Sequence, residues 1–470
     1  MSLLLLDLDV IEIILSYMST QDRWQLCTIC RAAHAAILPR LLSKVDIGLS
    51  GSTERRMNQI AQFCRFMLAD VPHRIPHLRS LTLGPAFAPP YIAAPLRPIY
   101  DHYWFAVSLG HVVALATGLL KISIPQAYWA FEHVPRLLYA LISLPDLDHV
   151  ELYDVNVLHL PLLSKMKSRP RHLAFEERDA RFHAVQLLPR GLEFHGRRQL
   201  FSELAGSLNI LETSLSSESV NELDVVMPLV HTLKISGRIE SLAPYSRTFP
   251  GVRTLYVHAS LGDSLVVTNS TWPQLDFVRT HSPLQLWHCP IRRLELVYFY
   301  HNPRGDTLRS ATRTMLPKTS SVVLTMLSDY GLFKSLPPDA LRCLQFLQLC
   351  VSESALIATS LQDEIYRHVS SLSGTPLVGI ACVTKANRLQ GESLATHATF
   401  IAATIPTLQY VGFDVWEETT PRRVLLGERR PYAWFRVSRA GNSEDAPKLD
   451  VLSQRDAEQI ETRLLNTLRA

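Results

Sequence analysis

Neither sign of charge dominates this sequence. Only 19% of its 470 residues are charged, and 47 Lys and Arg against 43 Asp and Glu leave a net charge of +4. A balance that small gives no field able to hold nucleic acid or an anionic membrane, so neither is expected as a partner. Local basic pairs such as Arg197-Arg198 and Arg429-Arg430 read as solvated faces. Cysteine is sparse as well: seven residues, an odd number, lie scattered at positions 27, 30, 64, 289, 343, 350 and 382. That pattern excludes the dense framework of a secreted disulfide scaffold and points to a reducing, intracellular compartment, cytoplasmic or nuclear. Long apolar runs are missing too. The longest, Phe105 to Leu120, contains His111 and falls short of the roughly 18–20 residues of a spanning helix, so burial within the protein accounts for it. The opening stretch, Met1 to Asp9, has no basic residue, and Asp7, Asp9 and Glu12 break its apolar character; it reads as folded structure and not as a signal peptide. Without such a signal, the Asn269-Ser270-Thr271 triplet carries no expectation of glycosylation.

The signatures of catalysis are also lacking. The chain has no glycine-rich dinucleotide fingerprint, no phosphate loop ending in Gly-Lys-Ser/Thr, no Gly-x-Ser-x-Gly elbow and no His-Glu-x-x-His helix. Cys27 and Cys30 have the spacing of a redox or zinc pair, but no second pair completes a tetrahedral site, and both read as packing residues of a helix. His172, His183 and His195 show no ligand spacing, and Glu176-Glu177 and Glu417-Glu418 read as solvated turns. No catalytic, metal-binding or cofactor-binding residue is therefore assigned, and the chain is expected to be a binder.

What is abundant is apolar side chain, 47% of the residues, enough for a large core. At the N-terminus Val10, Ile11, Ile14, Leu15 and Met18 recur at helical steps, with Asp7 and Asp9 at the end where the helix dipole favours negative charge. Thr20 is placed to cap a second helix, buried through Trp24, Leu26, Cys27, Ile29 and Cys30 and interrupted by Pro39. A third amphipathic stretch runs from Arg55 to Leu68, with Ile60, Phe63, Cys64, Met67 and Leu68 on its apolar side.

Beyond it one pattern recurs: a proline, a spaced apolar residue, then an alternating apolar strand, as in Pro76-His-Leu78-Arg-Ser-Leu81-Thr-Leu83. Similar copies end in Val150 and Leu152, Leu233 and Ile235, Leu255 and Val257, and Val278; weaker ones end in Leu294 and Leu296, Leu347 and Leu349, and Val411 and Phe413. The prolines at 228, 250, 273 and 290 set steps of about 17–23 residues. One such strand cannot bury its apolar side alone, so several copies imply an array of stacked neighbours. The expected fold is α/β: an irregular, leucine-rich-repeat-like array with a mainly parallel sheet. Ala127 to Leu144 and Glu392 to Ile405 have helical character and lie outside the strands. The chain is expected to close with two strands across Val424 to Val437 around a turn at Gly427 to Arg430, an exposed loop from Gly441 to Lys448, and a capping helix from Gln454 to Leu468. Tyr298 and Tyr300, with Arg292, Arg293 and Arg304, form an aromatic and basic group at one strand, where Val297 and Phe299 are expected to face inward.

The segment Leu6-Asp7-Leu8-Asp9-Val10-Ile11, followed by Ile14-Leu15, Asp22, Leu26 and Ile29-Cys30-Arg31, resembles an F-box without a gap; it departs from that pattern at Asp7, Asp9 and Ala33. An F-box followed by degenerate leucine-rich repeats is a family that occurs in fungi and other eukaryotes. The resemblance implies a small helical F-box-like motif at 1–47, a repeat domain at 48–415 and a C-terminal hairpin and capping helix at 416–470. It implies a substrate-recruiting subunit of an SCF-type cullin-RING ubiquitin ligase, without cofactors. Its helical motif would dock on a Skp-type adaptor through Leu6, Val10, Ile11, Ile14, Leu15, Leu26, Ile29, Cys30 and Arg31, and its repeats would hold an unknown protein substrate. The alternative is a repeat scaffold unrelated to ubiquitin whose N-terminal helices are a structural cap.

Overall fold

The computed structural model describes residues 8–85, 104–177, 190–237, 239–259, 267–268, 272–281, 285–286, 289–297, 305–327, 330–336, 338–351, 361–385, 393–416, 429–439 and 446–466. It is a mixed α/β fold built on mainly parallel strands. The chain divides into two compact units, one of Met1–Leu215 with Ser219–Val230, the other of Ser216–Glu218 with His231–Ala470.

The first unit opens with α1 (Leu8–Tyr17), α2 (Thr20–Cys27) and α3 (Arg31–Ser43). Three helices stand where two were expected. Ser19, not Thr20, caps α2: its Oγ accepts from the Asp22 N–H at 3.2 Å and donates to the Asp22 carboxylate at 2.6 Å. The chain breaks at Thr28 and restarts at Cys30, whose Sγ accepts from the Ala33 N–H and caps α3. Cys30 is thus an exposed cap and not a buried helical residue. Pro39 does not interrupt anything; it lies inside α3.

From α3 the chain passes directly into β1 (Lys44–Ile47), then through α4 (Thr53–Leu68) into β2 (Ser80–Leu83). The strands β3 (Lys121–Ile124), β4 (His149–Val155), β5 (His172–Glu177) and β6 (Ile210–Thr213) follow. All six are parallel, each beside its predecessor. Register aligns Val45, Leu81, Ile122, Val150, Leu173 and Leu211 in one column, and from Leu81 onward every member is buried. The run from Phe105 supplies the helix Trp104–Leu115, which packs between α4 and the helix Pro135–Ser143. Its burial agrees with the reading of that stretch as core.

The second unit repeats the scheme. Its strands are β7 (Thr232–Gly237), β8 (Thr254–Ala259), β9 (Val267–Thr268), β10 (Leu275–Thr280), β11 (Gln285–Leu286), β12 (Ile291–Leu296), β13 (Val323–Leu327), β14 (Phe346–Cys350), β15 (Gly379–Lys385), β16 (Tyr410–Trp416), β17 (Arg429–Ser438) and β18 (Lys448–Val451). β9 and β11 form a separate pair. The remainder lie in chain order, parallel from β7 to β16 and antiparallel from β16 to β18. Leu233, Leu255, Val278, Leu294, Leu324, Leu347, Ile380 and Val411 align in one column without exposure. Each such side chain contributes roughly 1.5–3 kcal/mol of hydrophobic burial, and only the neighbouring strands and the crossover helices make that burial available.

A hydrogen-bond motif recurs at the entry to the strands. Two successive N–H groups converge on the carbonyl just ahead of the preceding strand: Leu120 and Lys121 on Arg79, Asp148 and His149 on Leu120, Arg171 and His172 on Asp148, Asn209 and Ile210 on Arg171. In the second unit Arg253 and Thr254 converge on His231, Asp276 and Phe277 on Arg253, Gln345 and Phe346 on Val322, Val378 and Gly379 on Gln345, and Gln409 and Tyr410 on Val378. A shared local geometry therefore underlies sequences that share few side chains.

At the C-terminus Arg429 and Arg430 belong to β17 and not to a turn, so the expected hairpin is corrected: β17 is one strand, paired with β16 and β18. Val424 to Gly427 and most of the expected loop after Gly441 lie outside the described residues. The terminal helix, Gln454–Asn466, stands where it was expected; Ser453 caps it by accepting from the Asp456 N–H at 3.2 Å.

Candidate functional site

The three N-terminal helices divide the expected adaptor residues among different environments. Leu15 is 1% exposed and belongs to the core. Ile14 and Leu26 are half-buried, while Ile29, Cys30 and Arg31 are exposed. Val10 and Ile11 sit on α1, with side chains outside the described residues, as is Leu6 altogether. The sequence pattern missed the apolar side chains that reach solvent: Ile13 is 59% exposed, Tyr17 87%, Trp24 47% and Ile29 71%. Trp24 and Ile29 are therefore outward and not part of the buried side assigned to the second helix. Four large apolar side chains thus reach solvent on the α1 and α2 segment of the module. Cys27 is buried, its Sγ 3.3 Å from His34 Nδ1, and burial pushes its thiol pKa up, the opposite of a reactive thiolate.

In the first unit the strand residues that alternate with the apolar column form a polar face. Lys121 Nζ donates to Glu151 Oε1 at 2.7 Å, and His149 Nε2 lies 2.6 Å from the same oxygen. The hydrogen bond from His149, then that from Lys121, hold the Glu151 carboxyl far below the usual carboxylate range against the opposing effect of its partial burial. His172 packs against His149, ring centroids 3.8 Å apart. Glu176 points the other way in titration: burial first, then the charges of Asp154 and Glu212, push its carboxyl up. Glu177 is no solvated turn residue. It takes a bidentate pair from Arg197, Nε and Nη2 each at 2.6 Å, and both side chains are nearly enclosed. Arg197 is likewise not on a solvated face; Arg198 is, paired with Asp224 at 2.7 Å.

In the second unit the corresponding face begins as an aromatic and cationic strip. Lys234 Nζ lies 5.8 Å from the Tyr256 ring centroid, Tyr256 is 5.3 Å from Phe277, and the Arg293 guanidinium is 5.2 Å from Phe277. Glu295, buried, is held between Arg279 at 3.3 Å and Arg293 at 2.6 Å. Further along, the terminal helix lies on the same face. Its Ala457, Ile460 and Leu464 pack on Val323, Phe346, Ala381, Tyr410 and Trp434, and Gln348 Nε2 donates to Glu461 at 2.9 Å. Gly379 makes room for it, since a Cβ there would stand 2.8 Å from Leu464 Cδ1. Arg292 donates to the carbonyl of Asn466 at the end of that helix. Tyr298, Phe299, Tyr300 and Arg304 lie outside the described residues; β12 ends at Leu296, before the strand positions expected of Val297 and Phe299.

His281, at the end of β10, faces His258 with ring centroids 4.7 Å apart. Burial, then the charges of His258 and Arg279, lower its pKa to about 4. An unfolded histidine takes its proton near 6.5, so protonation favours the unfolded chain. The stability contributed by neutral His281 is complete above about pH 6.5 and is lost as the pH falls toward 4. Denaturant midpoints at pH 7.5 and pH 5 are expected to differ more for the parent protein than for His281→Gln; equal differences would remove His281 as the cause.

Among the described residues no group of His, Cys, Asp and Glu is arranged to hold a metal ion, all seven cysteines are free, and no helix is long and apolar enough to cross a membrane. His183, Glu417, Glu418 and the Asn269 triplet lie outside the described residues. No family model matches the sequence, and no curated protein matches it either. The candidate sites rest on their own geometry: an apolar helical surface at one end of the first unit, and one open sheet face in each unit.

Proposed function

We propose that the protein is a non-catalytic, protein-binding subunit that recruits substrates to an SCF-type cullin-RING ubiquitin ligase. In this reading the F-box-like helices, α1 to α3, dock on a Skp-type adaptor, and open faces of leucine-rich-repeat-like strands hold the substrate. The observation that carries it is the set of Ile13, Tyr17, Trp24 and Ile29, exposed on a helical module that leads straight into parallel strands with a recurring entry motif. Large aromatic and branched side chains are the usual anchors of an interface, and central anchors cost 2 kcal/mol or more when truncated, about 30-fold in affinity each.

The test is co-purification of the full-length chain with a purified Skp-type adaptor. Tyr17→Asp and Ile29→Asp are the variants of choice, because both positions are exposed and the changes spare the core; Leu15 is unsuitable, since its loss would unfold the module. Capture by the parent and a loss of at least 100-fold in the folded double variant is the expected result. Failure of the parent to bind at micromolar adaptor would overturn the ligase reading.

One observation favours a plain repeat scaffold with a structural N-terminal cap. Ala33, at the position where the F-box pattern carries Trp, is a small buried residue that packs inside the module. Adaptor capture separates the two readings.

A further inference from the structure

The terminal helix shows what the open sheet face of the second unit accepts. Over β13 to β16 it presents Ile460 and Leu464 to apolar strand residues and places the Glu461 carboxylate on Gln348. Its ligand chemistry is apolar side chain beside carboxylate. The same face continues over β7, β8, β10 and β12, where Lys234, Tyr256, Phe277 and Arg293 are half-buried and its character becomes more strongly cationic. Lys234 and Arg293 stand at the two ends of the tilted ring pair Tyr256 and Phe277.

We propose that this strip binds an acidic protein segment in extended conformation, two carboxylates flanking one aromatic or large apolar side chain. The inference rests on the substrate-holding role proposed above for the open faces and names the class of substrate. Three observations carry it. Both cations already lie against ring faces, which holds their side chains in place before a ligand arrives. Arg293 gives one nitrogen to Glu295 and keeps its side chain 24% exposed, so an arriving carboxylate can meet its outer edge. The spacing is selective as well. Lys234 and Arg293 are separated by three strand intervals and by two residues along the strands, roughly 16 Å, and an extended chain covers about 13 Å in four residues with positions i, i+2 and i+4 on one side, the remainder lying within reach of two glutamate side chains. The favoured sequence is therefore Glu-x-aromatic-x-Glu. A nucleic acid is the less favoured occupant, because the terminal helix shows this face taking an apolar protein segment that carries a carboxylate.

The experiment is fluorescence anisotropy of the full-length protein with a labelled peptide carrying Glu-Ser-Phe-Ser-Glu, beside Lys-Ser-Phe-Ser-Lys and an oligothymidylate of similar length. Binding of the acidic peptide, weakened at least tenfold by Lys234→Glu and by Tyr256→Ala, with little binding of the basic one, is expected. Lys234→Gln, a surface change, gives the same direction should Tyr256→Ala not fold. Absence of acidic-peptide binding at millimolar concentration, equal binding of the basic peptide, or unchanged affinity in the Lys234 variants would overturn the proposal. Tighter binding of the oligonucleotide would replace it with a nucleic-acid surface. Adaptor capture by the same preparation keeps the two proposals apart: capture without peptide binding refutes the strip alone, and peptide binding without capture refutes the ligase reading alone.

Discussion

Replacing Trp434 with Ala is expected to destabilise the second unit by about 3–5 kcal/mol, the range for removing a large aromatic from a packed interior. Trp434 is the largest fully enclosed side chain among the described residues. Its ring lies over Gly412 so closely that a Cβ there would stand 2.3 Å from the ring, and its Nε1 donates to the buried Asp414 carboxylate at 2.7 Å. Ala at 434 removes the indole donor from Asp414 and the platform under Ala457, Ile460 and Leu464 together. A unit of this size shifts by roughly 2–4 °C per kcal/mol, so the unfolding temperature of the second unit should drop by about 10 °C. Calorimetry of parent and variant reads this directly; a drop below about 2 °C would mean that the terminal helix is not seated through Trp434. Gly412→Leu is expected to act in the same direction, since no side chain fits between the strand and the indole.

Arg197→Met should cost the first unit a comparable amount, about 3–5 kcal/mol, for a different reason. Glu177 and Arg197 are nearly enclosed, and removing the guanidinium strands a carboxylate in a poorly solvated place. Removing both charges is much milder, because desolvation and attraction disappear together: the double change Glu177→Leu, Arg197→Met is expected to recover most of the loss. Urea denaturation of the three proteins gives the coupling. Equal stability for the single and double variants would show that the pair matters through packing alone.

Much of the array was legible in the sequence because its strands obey a rule that side chains alone can express. Leu78, Leu81 and Leu83 recur as Leu147, Val150 and Leu152 and again as Val252, Leu255 and Val257, and all nine are buried. Nine further strands escaped notice: β1, β3, β5, β6, β9, β11, β13, β15 and β18. β6 and β15 carry Thr213 and Cys382 at positions where the pattern wants a large apolar side chain. What unites β3, β5, β6 and β15 with β4, β8, β10, β14 and β16 is the pair of N–H groups converging on one carbonyl, a backbone feature that leaves no mark on side-chain identity. At the N-terminus only the first helix was placed as found, and the faces were not: helical spacing finds a buried stripe, but in so short a module the same spacing also describes the exposed side, so Trp24 and Ile29 were assigned to the core. Glu177 and Arg197 were read as solvated because their charges are twenty positions apart in the chain, and nothing in either neighbourhood announces the other. The cover that the terminal helix places on the sheet was legible as amphipathicity, through Ile460, Leu464 and Leu465, but its choice of face depends on Gly379 and Gly412, single glycines whose significance only the packing reveals.

The convergent backbone bonds at the strand entries fix each strand against the one before it without consulting the chain in between. β2 and β3 are joined by a long connection and β7 and β8 by a short one, yet both pairs enter the sheet with the same geometry. Register is thus insulated from the length of the crossover. In an evolving lineage such a chain can lengthen, shorten or rewrite its connections without renegotiating its core, and can gain or lose an interior strand with its crossover as one heritable parcel. Variation of this kind would leave sequences recognisable to each other by architecture long after their side chains had ceased to agree.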